Sequence, residues 1–169
     1  MTELVTDRLL LRRAREEDVN DLHAVFSNPQ AMRYWSTPPH ERLEQTAAWL
    51  ASMVEAPPES SDDYVLTLNG RVVGKAGFWR LPQVGFILHP DLWGQGYARE
   101  ALSAVLIHVF ATRELETATA DVDPRNGASL RLLARLGFRE TGRRSRTWRI
   151  SGVWSDSVYL ALSRDHAEG

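Results

Sequence analysis

The fold of this chain is decided by residues Val84–Thr112, VGFILHPDLWGQGYAREALSAVLIHVFAT. The apolar run Val84–Leu88 predicts a short buried strand, which His89-Pro90-Asp91 ends. From Tyr97 onward the apolar residues recur at helical spacing, at Ala98, Ala101, Leu102, Val105, Leu106, Val109 and Phe110. The stretch therefore predicts a strand, a glycine turn and an amphipathic helix, in that order.

The turn carries two glycines at alternate positions, Gly94 and Gly96. Glycine lets a backbone come close to a ligand, and the first N–H groups of a helix have no partner inside the helix. Such a turn binds anions, phosphates above all. Arg99 lies in the first helical turn, where the helix dipole favours acidic residues, and a bound anion would account for it.

Two known motifs use this geometry, and one of them fits. A Rossmann fingerprint needs a third glycine where this chain has Arg99. Trp93–Ala98 resembles the pyrophosphate-binding turn Q/R-x-x-G-x-G/A of the GNAT superfamily of N-acetyltransferases, with Trp93 in place of Gln or Arg. The longer string WGQGYAREAL resembles the ribosomal-protein N-acetyltransferases of the RimJ/RimL type. The opening TDRLLLRRAREED and the segment NPQAMRYW are also similar to that group.

A second motif lies in Asp121–Phe138, DVDPRNGASLRLLARLGF. In the family, an Asn at the Asn126 position contacts the pantetheine arm of acetyl-CoA, and a Gly-Phe pair such as Gly137-Phe138 follows the helix. Asn126 is equally suitable as the N-cap of that helix, so both roles stay open. The resemblance covers essentially the whole chain.

The resemblance implies one domain over residues 1–169 with the GNAT fold, an α/β (α+β) architecture. Its central sheet is mixed and mostly antiparallel, with helices on both faces. Two splayed parallel strands, Val84–Leu88 and Thr117–Val122, would hold acetyl-CoA as cosubstrate, without a metal. A bulge near Phe86–Leu88 would free backbone N–H groups for the thioester carbonyl. The implied cofactor-binding residues are Phe86, Ile87, Leu88, Trp93, Gly94, Gln95, Gly96, Tyr97, Ala98, Arg99, Asn126 and Ser129.

The catalytic acid implied by the resemblance is Ser129. Many family members carry a Tyr seven residues after the motif Asn, but Leu133 stands there, and the RimJ/RimL group has a Ser where this chain has Ser129. No base is assigned, because Gln83-Val84-Gly85 lacks the carboxylate that many members carry on this strand. Three residues are predicted to contact the acceptor: Tyr34, Trp35 and Asp156.

The rest of the chain predicts a series of short elements. We expect a strand at Leu9–Arg13, a helix at Glu16–Phe26 and a polar loop at Ala56–Asp63. A second helix, His40–Val54, would turn Leu43, Ala47, Leu50 and Val54 inward. Asn69-Gly70 predicts a hairpin between Tyr64–Leu68 and Arg71–Trp79. Further expected elements are a strand at Thr117–Val122, a helix at Ala128–Leu136 and a final hairpin, Phe138–Ile150 with Val153–Leu162.

Composition narrows the function further. The chain has 169 residues, a net charge of −2 and no cysteine. Disulfides and a Cys nucleophile are thereby excluded. The slightly negative charge argues against nucleic acid or membrane as partner, and the arginines at Arg139–Arg149 are interpreted as a charged strand face. We expect a cytoplasmic protein, with a homodimer implied by the family alone.

Together these features predict an enzyme that moves an acetyl group from acetyl-CoA directly to a primary amine. The acceptor would be a protein N-terminal α-amine or a small amine, since one fold serves both. The alternative is a CoA-binding sensor or structural module without catalysis. The missing Tyr and strand Glu keep this alternative open, whereas Ser129 and the intact glycine turn argue against it. Tyr34, Trp35, Trp79, Trp148 and Trp154 would line an acceptor pocket, or else belong to the core or a dimer contact.

Overall fold

A computed structural model describes residues 2–167 of the chain. Its strands are β1 (Leu4–Val5), β2 (Leu10–Arg12), β3 (Asp62–Leu68), β4 (Arg71–Arg80), β5 (Gln83–Leu88), β6 (Thr117–Val122), β7 (Arg139–Ile150) and β8 (Val153–Ser163). Its helices are α1 (Val19–Phe26), α2 (Leu43–Val54), α3 (Tyr97–Thr112), α4 (Gly127–Arg135) and α5 (Arg164–Ala167). Within residues 2–167 the strands form one sheet of eight, in the order β1-β2-β3-β4-β5-β6-β8-β7.

Neighbouring strands run antiparallel except β5 and β6, which are parallel. The predicted Asn69-Gly70 hairpin is confirmed: φ is 51° at Asn69 and 80° at Gly70, the left-handed pair that a tight hairpin turn requires. Ser151 and Gly152 close the β7–β8 hairpin in the same way, with φ of 50° and 79°. Sequence-local turns thus account for the antiparallel pairs β3–β4 and β7–β8.

Helices cover both faces of the sheet, as predicted. Successive residues of a strand point to opposite faces, so Tyr64 and Leu66 pack beneath α3 while Val65 packs with α1 and α2. The predicted apolar positions of α3 are buried, from Ala101 to Phe110, with only Ala98 at its start partly accessible. No helix within residues 2–167 is long and apolar enough to cross a membrane.

For the second predicted helix, the first residue and two of the residues expected to point inward are wrong. α2 begins at Leu43, with Arg42 as its N-cap. Gln45 Oε1 accepts the N–H groups of Glu41 and Arg42 at 2.7 and 2.9 Å, and these bonds keep both residues outside the helix. Leu43 is exposed and so is Ala47, whereas Leu50 is buried as predicted. The first turn of the predicted Glu16–Phe26 helix is a 3-10 turn, Glu16–Asp18.

The predicted polar loop Ala56–Asp63 ends too late, because Asp62 and Asp63 already belong to β3 and are buried. Each carboxylate has a cation far away in sequence. Arg113 Nε donates to Asp62 Oδ2 at 2.7 Å, and Lys75 Nζ donates to both oxygens of Asp63 at 2.9 and 2.8 Å. These pairings make burial of the two acids possible, and local polarity could not reveal them.

Candidate active site

A cleft opens in the sheet where β5 and β6 separate. The two strands share one pair in register, Gln83 with Thr119, and within the described residues their ladder goes no further. Thr119 N–H also donates to Pro82 O at 2.9 Å. The strands therefore meet at their beginnings and diverge toward Leu88 and Val122. This is the splayed parallel pair that the family resemblance implies.

The divergence exposes backbone N–H groups of β5 to the cleft. His89 N–H donates to Val73 O of β4 at 2.9 Å. Along an antiparallel strand, the backbone N–H groups of every second residue point to the same neighbouring strand. The N–H groups of Phe86 and Leu88 consequently face away from β4, toward the cleft, while that of Ile87 faces β4. The cleft thus has two backbone donors on β5 where three residues were predicted.

The predicted bulge at Phe86–Leu88 is wrong. Phe86 pairs with Ala76 and Leu88 with Gly74 in unbroken register, and the shift lies earlier, between Phe78 and Arg80. Among residues 2–167, separation from β6 rather than an extra residue in β5 leaves the N–H groups of Phe86 and Leu88 without a strand partner.

The glycine turn at the end of β5 leaves room for a ligand. Gly94 and Gly96 have φ of 72° and 82°, in the left-handed region. A Cβ placed on Gly94 would meet no atom within 4 Å, and one on Gly96 would meet only Arg8 Nη2, at 3.4 Å. Gly96 is also the N-cap of α3 and offers no side chain to the first-turn N–H groups. The turn therefore fits a phosphate-bearing ligand such as the pyrophosphate of acetyl-CoA.

Trp93, the departure from the family motif, anchors this turn to β5. Its Nε1–H donates to Leu88 O at 2.9 Å. Gln95 Nε2 adds a bond to Asp91 O at 3.0 Å. Tyr97 and Ala98 are half-buried at the start of α3, and Arg99 is exposed there.

Sequence reasoning missed Arg8, which braces the turn from the β1–β2 connection. Its Nε donates to Glu100 Oε2 at 2.7 Å and its Nη1 to Gln95 O at 2.9 Å. Its guanidinium carbon lies 3.9 Å from the centre of the Tyr97 ring. Partial burial acts to raise the pKa of Glu100, but hydrogen bonds from Thr6 and Arg8 hold that pKa below its ordinary value. No spacing rule connects residues 92 positions apart.

The second motif begins α4 on the other side of the cleft. Asn126 Oδ1 accepts the Ser129 N–H at 3.2 Å, so Asn126 is the N-cap of this helix. The Asn126 side-chain NH₂ and the Ser129 hydroxyl have no hydrogen-bond partner among residues 2–167. Leu133 is fully buried in the core and supplies no proton donor at the position where many family members carry a Tyr.

A cavity of about 490 Å³ lies beside the cleft, on the face of α1 and α2. The three predicted acceptor residues, Tyr34, Trp35 and Asp156, all line it. Other aromatic or charged residues in its wall are Trp49, Trp79, Trp148, Asp63, Lys75, Asp121 and Asp123. Trp154 is instead 43% exposed and lies under Arg146 and Arg149. The cavity reaches Gln83 and Gly85 of β5 and Asp121 of β6, so it opens at the divergence of the two strands.

The carboxylates of the cavity wall differ in their partners. Asp63 is held by Lys75 in a buried pair, and burial is the main cause that raises the pKa of Asp63 against the opposing effect of that cation. The Arg125 guanidinium donates two hydrogen bonds to Asp123, at 3.0 and 2.7 Å, and its backbone N–H donates a third at 2.9 Å. These bonds lower the pKa of Asp123. Asp156 Oδ1 accepts the backbone N–H of Arg146 at 2.9 Å and so orders an irregular part of β7.

Comparison with known proteins places this site in a family. The model of the acetyltransferase (GNAT) domain matches residues 8–139. An uncharacterized N-acetyltransferase of Bacillus subtilis, YoaA, is 30% identical over 148 residues, which are 82% of this chain and 84% of that protein. The ribosomal protein uS5-alanine N-acetyltransferase of Escherichia coli is 26% identical and matches 95% of this chain and 90% of its own. The spermidine N-acetyltransferase of Vibrio cholerae, solved with CoA and spermine, has a TM-score of 0.81 at 19% identity, covering 96% of this chain and 98% of its own.

The chain therefore belongs to the GNAT acetyltransferase family, and its relatives include ribosomal-protein N-acetyltransferases of the RimJ/RimL type. It is an N-acetyltransferase that uses acetyl-CoA. The mixed α/β fold expected from the sequence is confirmed by the sheet and by the structural match.

Proposed function

We propose that this enzyme transfers the acetyl group of acetyl-CoA directly to a primary amine bound in the 490 Å³ cavity. The observation that carries the proposal is the meeting of two sites at the divergence of β5 and β6. The glycine turn and the N-terminus of α3 suit the pyrophosphate at one end of the cleft, and the cavity opens onto the same strands from the face of α1 and α2.

The residues of the cleft have separate tasks in this proposal. The first-turn N–H groups of α3 bind the pyrophosphate, and the Asn126 side-chain NH₂ donates to the pantetheine arm. The cleft-facing N–H groups of Phe86 and Leu88 stabilise negative charge that develops on the thioester oxygen during attack. Ser129 donates a hydrogen bond or proton to the sulfur of the leaving thiolate, since its hydroxyl has no partner among residues 2–167.

The acceptor class is either a protein N-terminal α-amine or a small-molecule amine. The Escherichia coli relative is named for an alanine of a ribosomal protein, and the Vibrio cholerae neighbour for spermidine. Tyr34 and Trp35 supply an aromatic wall to the cavity, and Asp156 a carboxylate. An aromatic wall with nearby carboxylates suits a cationic amine before it loses its proton.

Thiol release from acetyl-CoA against a panel of primary amines tests the proposal. The panel contains an alanine-initiated peptide, a serine-initiated peptide, spermidine and an aminoglycoside, each beside its N-acetylated form as a matched control. Turnover with a free amine and not with its acetylated form supports the proposal and names the acceptor class. Acetyl-CoA binding by calorimetry without turnover across the panel would favour the CoA-binding module instead.

The predicted homodimer stays a prediction, with the outer edge of the sheet as its proposed location. β7 is an edge strand, and the tip of its hairpin exposes Trp148, Val153 and Trp154 by 43%, 62% and 43%. Light scattering would give twice the chain mass of 19.1 kDa if the prediction holds.

A further inference from the structure

Asp121, one of the carboxylates of the cavity wall, belongs to β6, the strand that diverges from β5. Ala118, Ala120 and Val122 are buried beneath α3 and α4, so the alternate residues Thr119 and Asp121 face the cavity side of the sheet. Continuing the Gln83–Thr119 register by two residues sets Asp121 across the cleft from Gly85, which also lines the cavity. Asp121 thus lines the cavity beside the divergence of the two strands.

The surroundings of Asp121 hold its side chain without neutralising it. Trp148 Nε1–H donates to Oδ2 at 3.2 Å, and Oδ1 has no hydrogen-bond partner among residues 2–167. The other carboxylates of the cavity wall are engaged, Asp63 by Lys75, Asp123 by Arg125 and Asp156 by a backbone N–H. In the described part of the chain, Asp121 is therefore the cavity carboxylate with neither a cation nor a backbone donor.

β5 offers no competing carboxylate at this point. Gln83, at the origin of the divergence, carries an amide, and Val84 and Gly85 follow it. An amide oxygen can orient an amine but does not take up a proton at neutral pH. A carboxylate that serves the amine therefore comes from another part of the cavity wall than β5.

We propose that Asp121 is the catalytic base, which accepts the proton of the attacking amine from β6 rather than from β5. The inference rests on the proposed function. The bound ammonium gives one proton to Asp121 Oδ1, which passes it to water, and the neutral nitrogen then forms a bond to the acetyl carbon. As the C–S bond breaks, the nitrogen loses its second proton by the same route. The sulfur of the leaving thiolate receives one proton, which Ser129 donates and recovers from water. One amide and one thiol result.

The test begins with Asp121→Asn, assayed with the best acceptor of the amine panel. The amide oxygen still accepts from Trp148 Nε1, so the side chain keeps its anchor and loses only its basicity. We expect kcat/KM to fall about 100-fold, the usual contribution of a general base, with acetyl-CoA affinity by calorimetry unchanged. Asp165→Asn, an exposed carboxylate outside the cavity, is the matched control and should behave as wild type.

A rescue separates a proton-accepting role from a structural one. Gln83→Glu, introduced into the Asp121→Asn variant, supplies a carboxylate from β5 instead of β6. We expect kcat/KM of the double variant to be at least about tenfold higher than that of Asp121→Asn alone. Trp148→Phe removes the anchor but keeps the carboxylate, and should cost less than Asp121→Asn.

The outcomes are distinguishable. A wild-type chain that binds acetyl-CoA but acetylates no amine overturns the proposed function, and the base assignment with it. An active wild type with an equally active Asp121→Asn variant overturns the assignment of Asp121 alone. Loss of rate without rescue by Gln83→Glu, accompanied by loss of acetyl-CoA affinity, would show a structural role and would equally overturn it.

Discussion

The buried pair of Asp63 and Lys75 makes a sharp prediction about stability. Lys75 is 2% exposed and Asp63 7%, and Nζ lies 2.9 and 2.8 Å from the two carboxylate oxygens. Lys75→Met removes the cation but leaves the carboxylate buried. Breaking such a pair by removing one partner costs about 3–5 kcal/mol, or roughly 6–20 °C in Tm for a chain of this length.

The loss should depend on pH. Without Lys75, burial raises the pKa of Asp63 with no cation to oppose it. The folded variant then binds a proton more readily than the unfolded chain, so its stability falls as pH rises above the ordinary pKa of 3.8. The difference from wild type should therefore be larger at pH 8 than at pH 5.

Urea unfolding followed by tryptophan fluorescence measures both effects. Arg71→Met is the control, because it breaks the Arg71–Asp21 pair, in which the arginine is 80% exposed, and should cost less than about 1 kcal/mol. The double change Asp63→Asn with Lys75→Met removes both charges and should recover part of the loss. If Lys75→Met is no more destabilising than Arg71→Met, the reasoning about a buried charge is refuted.

Three further changes test the cofactor site and its surroundings. Gly96→Val places a branched side chain at φ 82° in the ligand space, so calorimetry should detect no acetyl-CoA binding while stability falls by about 1–2 kcal/mol; unchanged affinity would contradict the placement of the pyrophosphate. Ser129→Ala should lower turnover about 100-fold with little change in acetyl-CoA affinity, and equal turnover would remove Ser129 from the mechanism. Arg125 lowers the pKa of Asp123, so this pair stabilises the fold above pH 3.8 and loses its effect as pH falls through the lowered pKa. The stability gap between wild type and Arg125→Met, measured in urea, should therefore close in acid, and a gap that stays constant from pH 7 to pH 3 would refute the pairing.

Local patterns predicted most of the fold because the residues that decide them are neighbours in the chain. β6 runs from Thr117 to Val122 as expected, and α3 begins at Tyr97, directly after the glycine turn. The Asn69-Gly70 turn specified its hairpin through two left-handed residues. The polar-loop prediction was wrong because a distant partner decides, since buried Asp63 needs Lys75. Spacing also misplaced Leu43, which is exposed although its position suits a buried face.

For the candidate site, the sequence by itself determined the glycine turn, the Asn126 helix start and, through motif resemblance, the acetyl-CoA-dependent chemistry. Each depends on a few consecutive residues whose backbone requirements are local. The tertiary structure alone decided that Arg8 braces the turn and that Asp121 faces the cavity across from β5. Both positions follow from strand register and sheet order, which are set by contacts between segments far apart in the chain and leave no periodic signal in it.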